Sequence, residues 1–211
     1  MIRFTNLFVK LTGWLVQLFC FRTKIYYEDR AVQDRRIKGP AIIISNHTSL
    51  FDYAVYLFVF WSRTLRFQMA ELLFRKKPLG WLLKGLGGIY VDRDAHDFGF
   101  LIKSQEILEE GGVVGVFPES RLPRPGESRP LEFKPSAAYL ALAAGTPVIP
   151  VVTNGSYFRS ARARVIIGKP FSASELAPEG LEEKETLRLV SERMRQRIID
   201  LEKLLDEKAK R

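Results

Sequence analysis

An imidazole and a carboxylate five residues apart, His47 and Asp52, stand where one apolar run, GPAIIIS (39–45), meets another, SLFDYAVYLFVFW (49–61). Such a pair is equipped for proton transfer. The carboxylate accepts the Nδ1 proton of the imidazole, which sets the tautomer and leaves Nε2 free as a general base. On one continuous helix a five-residue step separates side chains by about 140°. The two can therefore meet only if His47 lies outside the helix and Asp52 in its first turns. A β-branched run after Gly-Pro predicts a buried strand ending near Ser45. The second run is too long for a strand and predicts a mostly buried helix beginning near Ser49. Asn46, His47 and Thr48 then form the loop at a strand's carboxyl end, where open α/β sheets bind ligands. With two histidines in the chain, an H-x4-D match is about a one-in-ten accident. An N-capping Ser49 beside an ordinary loop histidine accounts for the same residues. The other polar patches have to decide.

They also fall at strand ends. In GGIYVDRD (87–94), Arg93 directly follows a strand-like run and can bind phosphate through two nitrogens; a plain surface turn is the alternative. In VFPESRLPRPGE (116–127), Glu119, Ser120 and Arg121 emerge from a buried strand into a loop of prolines and cations. Such a loop suits an anionic substrate, or is a solvated charged loop. In VIPVV (148–152), Pro150 interrupts an apolar run and costs a ladder hydrogen bond unless it sits at an edge or bulge.

The elements that must position these groups alternate in type. LRFQM, GGIYV, VVGVFP, TPVIPVVTNG and RARVIIGKP read as strands. DFGFLIKSQEILEEGG, ending at Gly111–Gly112, and KPSAAYLALAAG, ending at Gly145, read as helices with glycine C-caps. Leu187, Val190, Met194, Ile198, Leu201 and Leu205 form a stripe at three- and four-residue steps, a C-terminal amphipathic helix docking on the domain. The fold class that follows is α/β: a single domain whose mixed, partly parallel sheet is flanked by helices.

A chain of 211 residues carries one such domain, and Cys20 alone excludes an internal disulfide framework. One cysteine and two histidines make a zinc site improbable, so no metal is expected. The net charge of +9 implies an anionic partner. The N-terminal LFVKLTGWLVQLFCFRTK (7–24) is apolar and aromatic, yet Lys10 and Gln17 interrupt it. It is shorter than the roughly 20 residues of a spanning helix and lacks a cleavage pattern. It predicts a helix lying in the membrane interface, with Trp14 and the phenylalanines in lipid and Arg3, Lys10, Arg22 and Lys24 near headgroups. The bland alternative is an amphipathic helix packed on the core. The chain thus divides into an interfacial helix at 1–24 and a domain at 25–211.

Taken in order, NHTSLFD (46–52), GIYVDR (88–93), VFPESR (116–121) and VIPV (148–151) resemble the four blocks of the glycerolipid acyltransferase family, whose best-known members are 1-acylglycerol-3-phosphate acyltransferases. The match spans roughly residues 38 to 155, and four ordered blocks are far more specific than one. The resemblance implies transfer of a fatty acyl group from acyl-CoA or acyl carrier protein to the free hydroxyl of a lysophospholipid such as lysophosphatidic acid. His47 would be the base and Asp52 its orienter. Arg93, Arg121 and Lys134 would hold phosphate, and Glu119 would orient these cations or a substrate hydroxyl. Backbone N–H groups around Asn46 to Thr48 are candidates for the oxyanion.

No cofactor beyond the acyl donor is implied. The expected location is the cytoplasmic face of the cell membrane. Two departures stand out. The family's E-G-T-R is shortened here to E-S-R, and Glu71 stands about where relatives often carry a lysine. Both touch the acceptor's phosphate, so glycerol 3-phosphate, another lysophospholipid or a lyso-aminolipid stay open as acceptors. A Ser-His-Asp lipid hydrolase and an inactive membrane adaptor are the competing classes. A nucleic-acid module would explain the charge but not the apolar N-terminus, so no nucleic-acid partner is expected.

Overall fold

Apolar runs without a polar interruption belong in strands covered on both faces. The computed structural model, which describes residues 1–92, 98–158 and 162–210, places them so. The strands are β1 (Lys24–Tyr27), β2 (Ala41–Ser45), β3 (Leu65–Ala70), β4 (Ile89–Val91), β5 (Val113–Val116), β6 (Val148–Thr153) and β7 (Arg164–Ile167). They form one seven-stranded sheet in the order β1-β7-β6-β2-β5-β3-β4. From β6 to β4 all neighbours are parallel, β7 is antiparallel to β6, and β1 is parallel to β7. The helices are α1 (Ile2–Thr12), α2 (Trp14–Val16, continued by a π turn at Gln17–Phe21), α3 (Asp52–Val59), α4 (Glu71–Arg75), α5 (Leu79–Leu86), α6 (Gly99–Glu109), α7 (Pro135–Ala144) and α8 (Glu183–Lys210).

The central strand β2 shows how the sheet divides the core. Ala41 and Ile43 join one apolar cluster with Tyr53, Tyr56 and Phe60 around α3. Ile42 and Ile44 join the other, with Ala138 and Leu140 of α7 and Val190, Met194 and Ile198 of α8. The stripe expected on the C-terminal helix is the face that α8 buries. Gly115 of β5 is small for a definite reason: a Cβ there would lie 2.2 Å from the ring of Phe67. Pro150 sits inside β6, away from the sheet edge, yet opposite Gly168, just past the end of β7. The Gly168 amide donates to the Pro150 carbonyl at 2.8 Å, so the donor that proline lacks falls at the last rung of that ladder.

Three elements were not expected from the sequence. β1 has one exposed and three half-buried residues and no clear alternation. Helices α4 and α5 are short and separated by KKP, below the length at which helical spacing stands out. Helix α3 begins at Asp52 rather than Ser49, because Ser49 to Phe51 form a turn closed by the Asp52 amide on the Ser49 carbonyl.

Helix α1 is inside out. Its buried residues are Asn6 and Lys10, whereas Phe4, Leu7, Phe8 and Leu11 are exposed, as are Trp14, Leu15, Leu18 and Phe19 beyond the Gly13 break. Asn6 donates to the Leu86 carbonyl at 3.0 Å, and Lys10 Nζ donates to the carbonyls of Trp61 (2.9 Å) and Arg63 (2.7 Å). The expectation that Lys10 reaches headgroups is corrected by this geometry: its ammonium points into the protein and caps the chain after α3. Arg3, Arg22 and Lys24 are exposed. Among the described residues no single helix is long and apolar enough to cross a membrane; the pair Ile2–Thr12 and Trp14–Phe21 is by length and composition, with a 48° bend between them.

Burial lowers the Lys10 ammonium from 10.5 to about 8. Between those values the unfolded chain holds a proton that the folded chain has released, so Lys10 makes stability rise with pH there. Urea unfolding of wild type and Lys10→Met at a series of pH values should show the wild type gaining on the variant from about pH 8 to 10.5, and no relative change below that window.

Candidate active site

A carboxylate with no exposed surface needs donors on every lone pair, and Asp52, 0% exposed, has five. Its Oδ2 accepts from His47 Nδ1 (2.9 Å), the Thr48 amide (2.7 Å) and the Ser49 amide (2.9 Å). Its Oδ1 accepts from the hydroxyls of Thr48 and Tyr157, each at 2.8 Å. As the first residue of α3, Asp52 turns its side chain back over the loop that precedes it, and so gathers 47–49 around itself. An ionised Asp52 assigns the proton of His47 to Nδ1. Nε2 is then a lone-pair acceptor without a protein partner among the described residues, on a side chain 15% exposed.

Two further strands complete the frame. β6 and β5 flank β2, and each sends a group from its carboxyl end. After β6 comes Tyr157, buried, its hydroxyl shared between Asp52 and Thr153 Oγ1 at 2.8 Å. Burial and the negative charge of Asp52 push the Tyr157 phenol far up, so it stays a donor. After β5 come Phe117 and Glu119. Phe117 stacks on the imidazole of His47, with ring centroids 4.2 Å apart and planes 16° apart, and the ring of Phe67 lies 5.0 Å from that of Phe117. Glu119, 3% exposed, accepts the His47 amide at 2.8 Å on one oxygen and the Leu131 amide at 2.7 Å on the other. Burial raises its pKa, opposed by those two amides.

The structure brings His47, Asp52, Thr48 and Glu119 together and reassigns several roles. Asn46 exchanges two hydrogen bonds with the Thr153 backbone, at 2.9 and 3.0 Å, so its side chain staples the loop to β6. The amides of His47 and Thr48 are committed to Glu119 and Asp52. The expectation that they hold an oxyanion is therefore corrected, while Asn46 and Thr48 do support the loop. Glu119 braces backbone, and among the described residues no cation forms an ion pair with it.

Arg121 is half-exposed and forms a fork with Glu127, at 2.7 and 2.8 Å. Lys134 is exposed, and its own amide donates to the Pro118 carbonyl. Glu71 pairs with Arg75 and accepts from the Tyr90 hydroxyl. Arg93 lies outside the described residues; β4, which ends at Val91, stands three places from β2, about 14 Å at the usual strand spacing. Ser120 takes φ of 57°, the left-handed conformation natural to the glycine that this block lacks. Tyr157 and Phe117 were missed by sequence reasoning, since a tyrosine 105 residues from its carboxylate partner leaves no local pattern. Among the described residues no cluster of His, Cys, Asp and Glu could hold a metal.

One glycine lets this frame close. Gly155 has φ of 65°, and a Cβ on it would lie 2.6 Å from Thr48 Oγ1. Gly155→Ala should lower the urea-unfolding free energy by about 1–3 kcal/mol, from backbone strain and displacement of a donor to Asp52. Gly126→Ala, equally left-handed but with open space around it, should cost only the strain and serves as the control.

Comparison with known proteins gives the arrangement its relatives. The family model described as Acyltransferase matches residues 22–154. The human 1-acyl-sn-glycerol-3-phosphate acyltransferase beta is 29% identical over 148 residues, covering 68% of this chain and 52% of that protein. The 1-acyl-sn-glycerol-3-phosphate acyltransferase of Bacillus subtilis (strain 168) is 30% identical over 148 residues, covering 68% of this chain and 71% of that one. The chain thus spans about half the length of the human relative. The crystal structure of the 1-acyl-sn-glycerophosphate (LPA) acyltransferase PlsC from Thermotoga maritima superposes with a TM-score of 0.63 at 23% identity, over 96% of this chain and 79% of that one, a likeness of fold. The matched segment holds the His47–Asp52 pair, Glu119 and the carboxyl ends of β2, β5 and β6, and on that match the chain belongs to the Acyltransferase family.

Proposed function

We propose that this protein moves a fatty acyl group from acyl-CoA or acyl carrier protein to the free hydroxyl of 1-acylglycerol 3-phosphate, giving phosphatidic acid. The observation that carries the proposal is the buried tether of His47 Nδ1 to Asp52 with Nε2 left to a substrate. Nε2 takes the acceptor's hydroxyl proton as the oxygen attacks the thioester carbonyl. The C–O bond forms, the C–S bond breaks, and the imidazolium returns the proton to the departing thiolate. Asp52 stabilises the imidazolium between those events, and Phe117 keeps the ring in one plane. No covalent acyl-enzyme enters the sequence. The acceptor assignment is supported by the names of the relatives in the human and Bacillus proteomes.

The outward apolar surface of α1 and its continuation supports a second part of the proposal: this segment lies in the bilayer interface, where a lysophospholipid resides. The basic surface then faces the anionic cytoplasmic leaflet. Acyl transfer to lysophosphatidic acid in liposomes, from labelled acyl-CoA and acyl carrier protein, tests the reaction. His47→Ala should lose about 10²–10⁴-fold in kcat while retaining its thermal transition. Wild-type transfer to another lysolipid, with none to lysophosphatidic acid, would replace the acceptor.

The Arg121–Glu127 fork bears on that acceptor. The guanidinium pulls Glu127 down to about 2, so the pair is ionised at any working pH, and a substrate phosphate must displace Glu127 to use Arg121. Solvent screens an exposed pair of this kind, so it is weakly held. Glu127→Gln should lower the acceptor KM up to about fivefold with kcat unchanged. An unchanged KM would assign Arg121 to loop structure alone.

A further inference from the structure

A second basic concavity lies at the end of the sheet away from His47. β1 runs against β2 in the sheet, so the chain leaving β1 at Tyr27 emerges beside the far end of α3. There Tyr27, Arg30, Arg35, Arg36, Trp61 and Ser62 line a cavity of about 550 Å³. Along α3 it is roughly 13 Å from Asp52, at 1.5 Å rise per residue.

The arginines are available. Among the described residues none of Arg30, Arg35 and Arg36 has a carboxylate in ion-pair reach. The one acid in the lining, Asp34, turns the loop by accepting the Arg36 amide at 2.6 Å. The loop itself is held in shape. Gln33 donates its amide to the Asp29 carbonyl at 3.0 Å, and Arg63 donates to the Ile37 carbonyl at 3.2 Å. Arg30 lies over the Tyr27 ring, 5.4 Å from its centroid. Three fork-shaped cations around one cavity fit an oxyanion with several acceptors, which is the chemistry of a phosphate group.

The source of that phosphate follows from the wall beside it. Trp61 meets Trp14 edge to face at 5.8 Å, and Trp14 is 51% exposed on the outward apolar segment. Lys10 of α1 holds the Trp61 and Arg63 carbonyls. The cavity is therefore fastened to the apolar segment at the level of its tryptophan pair, and tryptophans sit at headgroup depth.

We propose that this cavity is a docking site for the phosphate of an anionic phospholipid headgroup, separate from the acceptor site at His47. The proposal rests on the reading of α1 and its continuation as an interfacial segment. A lipid held here sets the depth and tilt of the protein on the bilayer without entering the reaction.

The test is vesicle binding of the full chain, with phosphatidylcholine vesicles and with phosphatidylcholine doped with phosphatidylglycerol. The doped vesicles should bind more tightly, and Arg30→Gln/Arg35→Gln/Arg36→Gln should lose most of that gain, on the order of 100-fold for three cations at an anionic surface. The charge-preserving Arg30→Lys/Arg35→Lys/Arg36→Lys should also lose about tenfold or more, since lysine lacks the fork. Unchanged thermal unfolding of both variants shows that the losses are not from misfolding. Full retention by the lysine variant would overturn the cavity in favour of a diffuse field. Equal binding of wild type to both vesicles would overturn it while leaving the interfacial segment intact, and binding to neither would overturn both. Inorganic phosphate heat in calorimetry that disappears in the glutamine variant, without any vesicle preference, would assign the cavity to a soluble phosphate and overturn the lipid.

Discussion

The structure around the site depends on satisfying the oxygens of Asp52, a carboxylate with no exposed surface. An isolated buried carboxylate would take up a proton or drag its helix toward solvent. Five donors remove that pressure, and each comes from a place that the fold must therefore fix: two amides and a hydroxyl from the loop after β2, a phenol from the segment after β6, and the imidazole itself. Satisfying the carboxylate and orienting the base are thus one event. The same carboxylate takes up the Thr48 and Ser49 amides, which precede the first turn of α3 and have no helical acceptor of their own. Its demand for donors also explains why Gly155 must lack a side chain, since a Cβ there would collide with the Thr48 hydroxyl that donates to Asp52.

Glu119 repeats the device one strand away. A carboxylate pushed up by burial and held down by two amides ties the His47 backbone to Leu131 and so fastens the β5 loop to the β2 loop. The ring of His47 gains a third constraint from an aromatic column that begins in the core. The missing Cβ of Gly115 admits Phe67, Phe67 supports Phe117, and Phe117 faces the imidazole. Position is set by hydrogen bonds at the edge of the ring and by packing on its face. Such preorganisation is what general-base catalysis needs, because the base does not have to reorient during proton transfer.

How much of this was legible follows from the range of each interaction. His47 and Asp52 were legible because their contact spans a strand–helix seam of a few residues, and the seam is written in the change of apolar pattern. The parallel sheet was legible from uninterrupted strands, and α8 from its stripe. Tyr157, Phe117 and the stapling role of Asn46 were not, because each is a contact between segments about 70 to 107 residues apart, joined only when β5 and β6 pair with β2. The backbone N–H groups around Asn46 to Thr48 looked like oxyanion donors because of their neighbourhood; the side chain of Asn46 matches the donor and acceptor of the Thr153 backbone. Lys10 looked like a headgroup ligand because lysines in apolar helices reach for water. Here two peptide carbonyls at the end of α3 were closer.

That last reversal carries the furthest. A helix that docks on a soluble core buries its apolar stripe, and α1 instead buries Asn6 and Lys10 while ten large apolar side chains from Met1 to Phe19 stay outward. A surface of that kind exceeds what a soluble monomer usually exposes, and the hydrogen bonds of Asn6 and Lys10, with Val9 packed on the core, orient it. The continuation past Gly13 runs back along α3: Trp14 meets Trp61 beyond its far end, and Phe21 meets Phe51 and Tyr157 at its start. Tyr157 is the donor to Asp52. The apolar segment therefore touches the cation-lined cavity at one end and the support of the catalytic pair at the other. If this segment lies in lipid as proposed, the bilayer itself becomes a wall of the site, and the height at which His47 meets an acceptor hydroxyl is set by the same residues that hold the protein to the membrane.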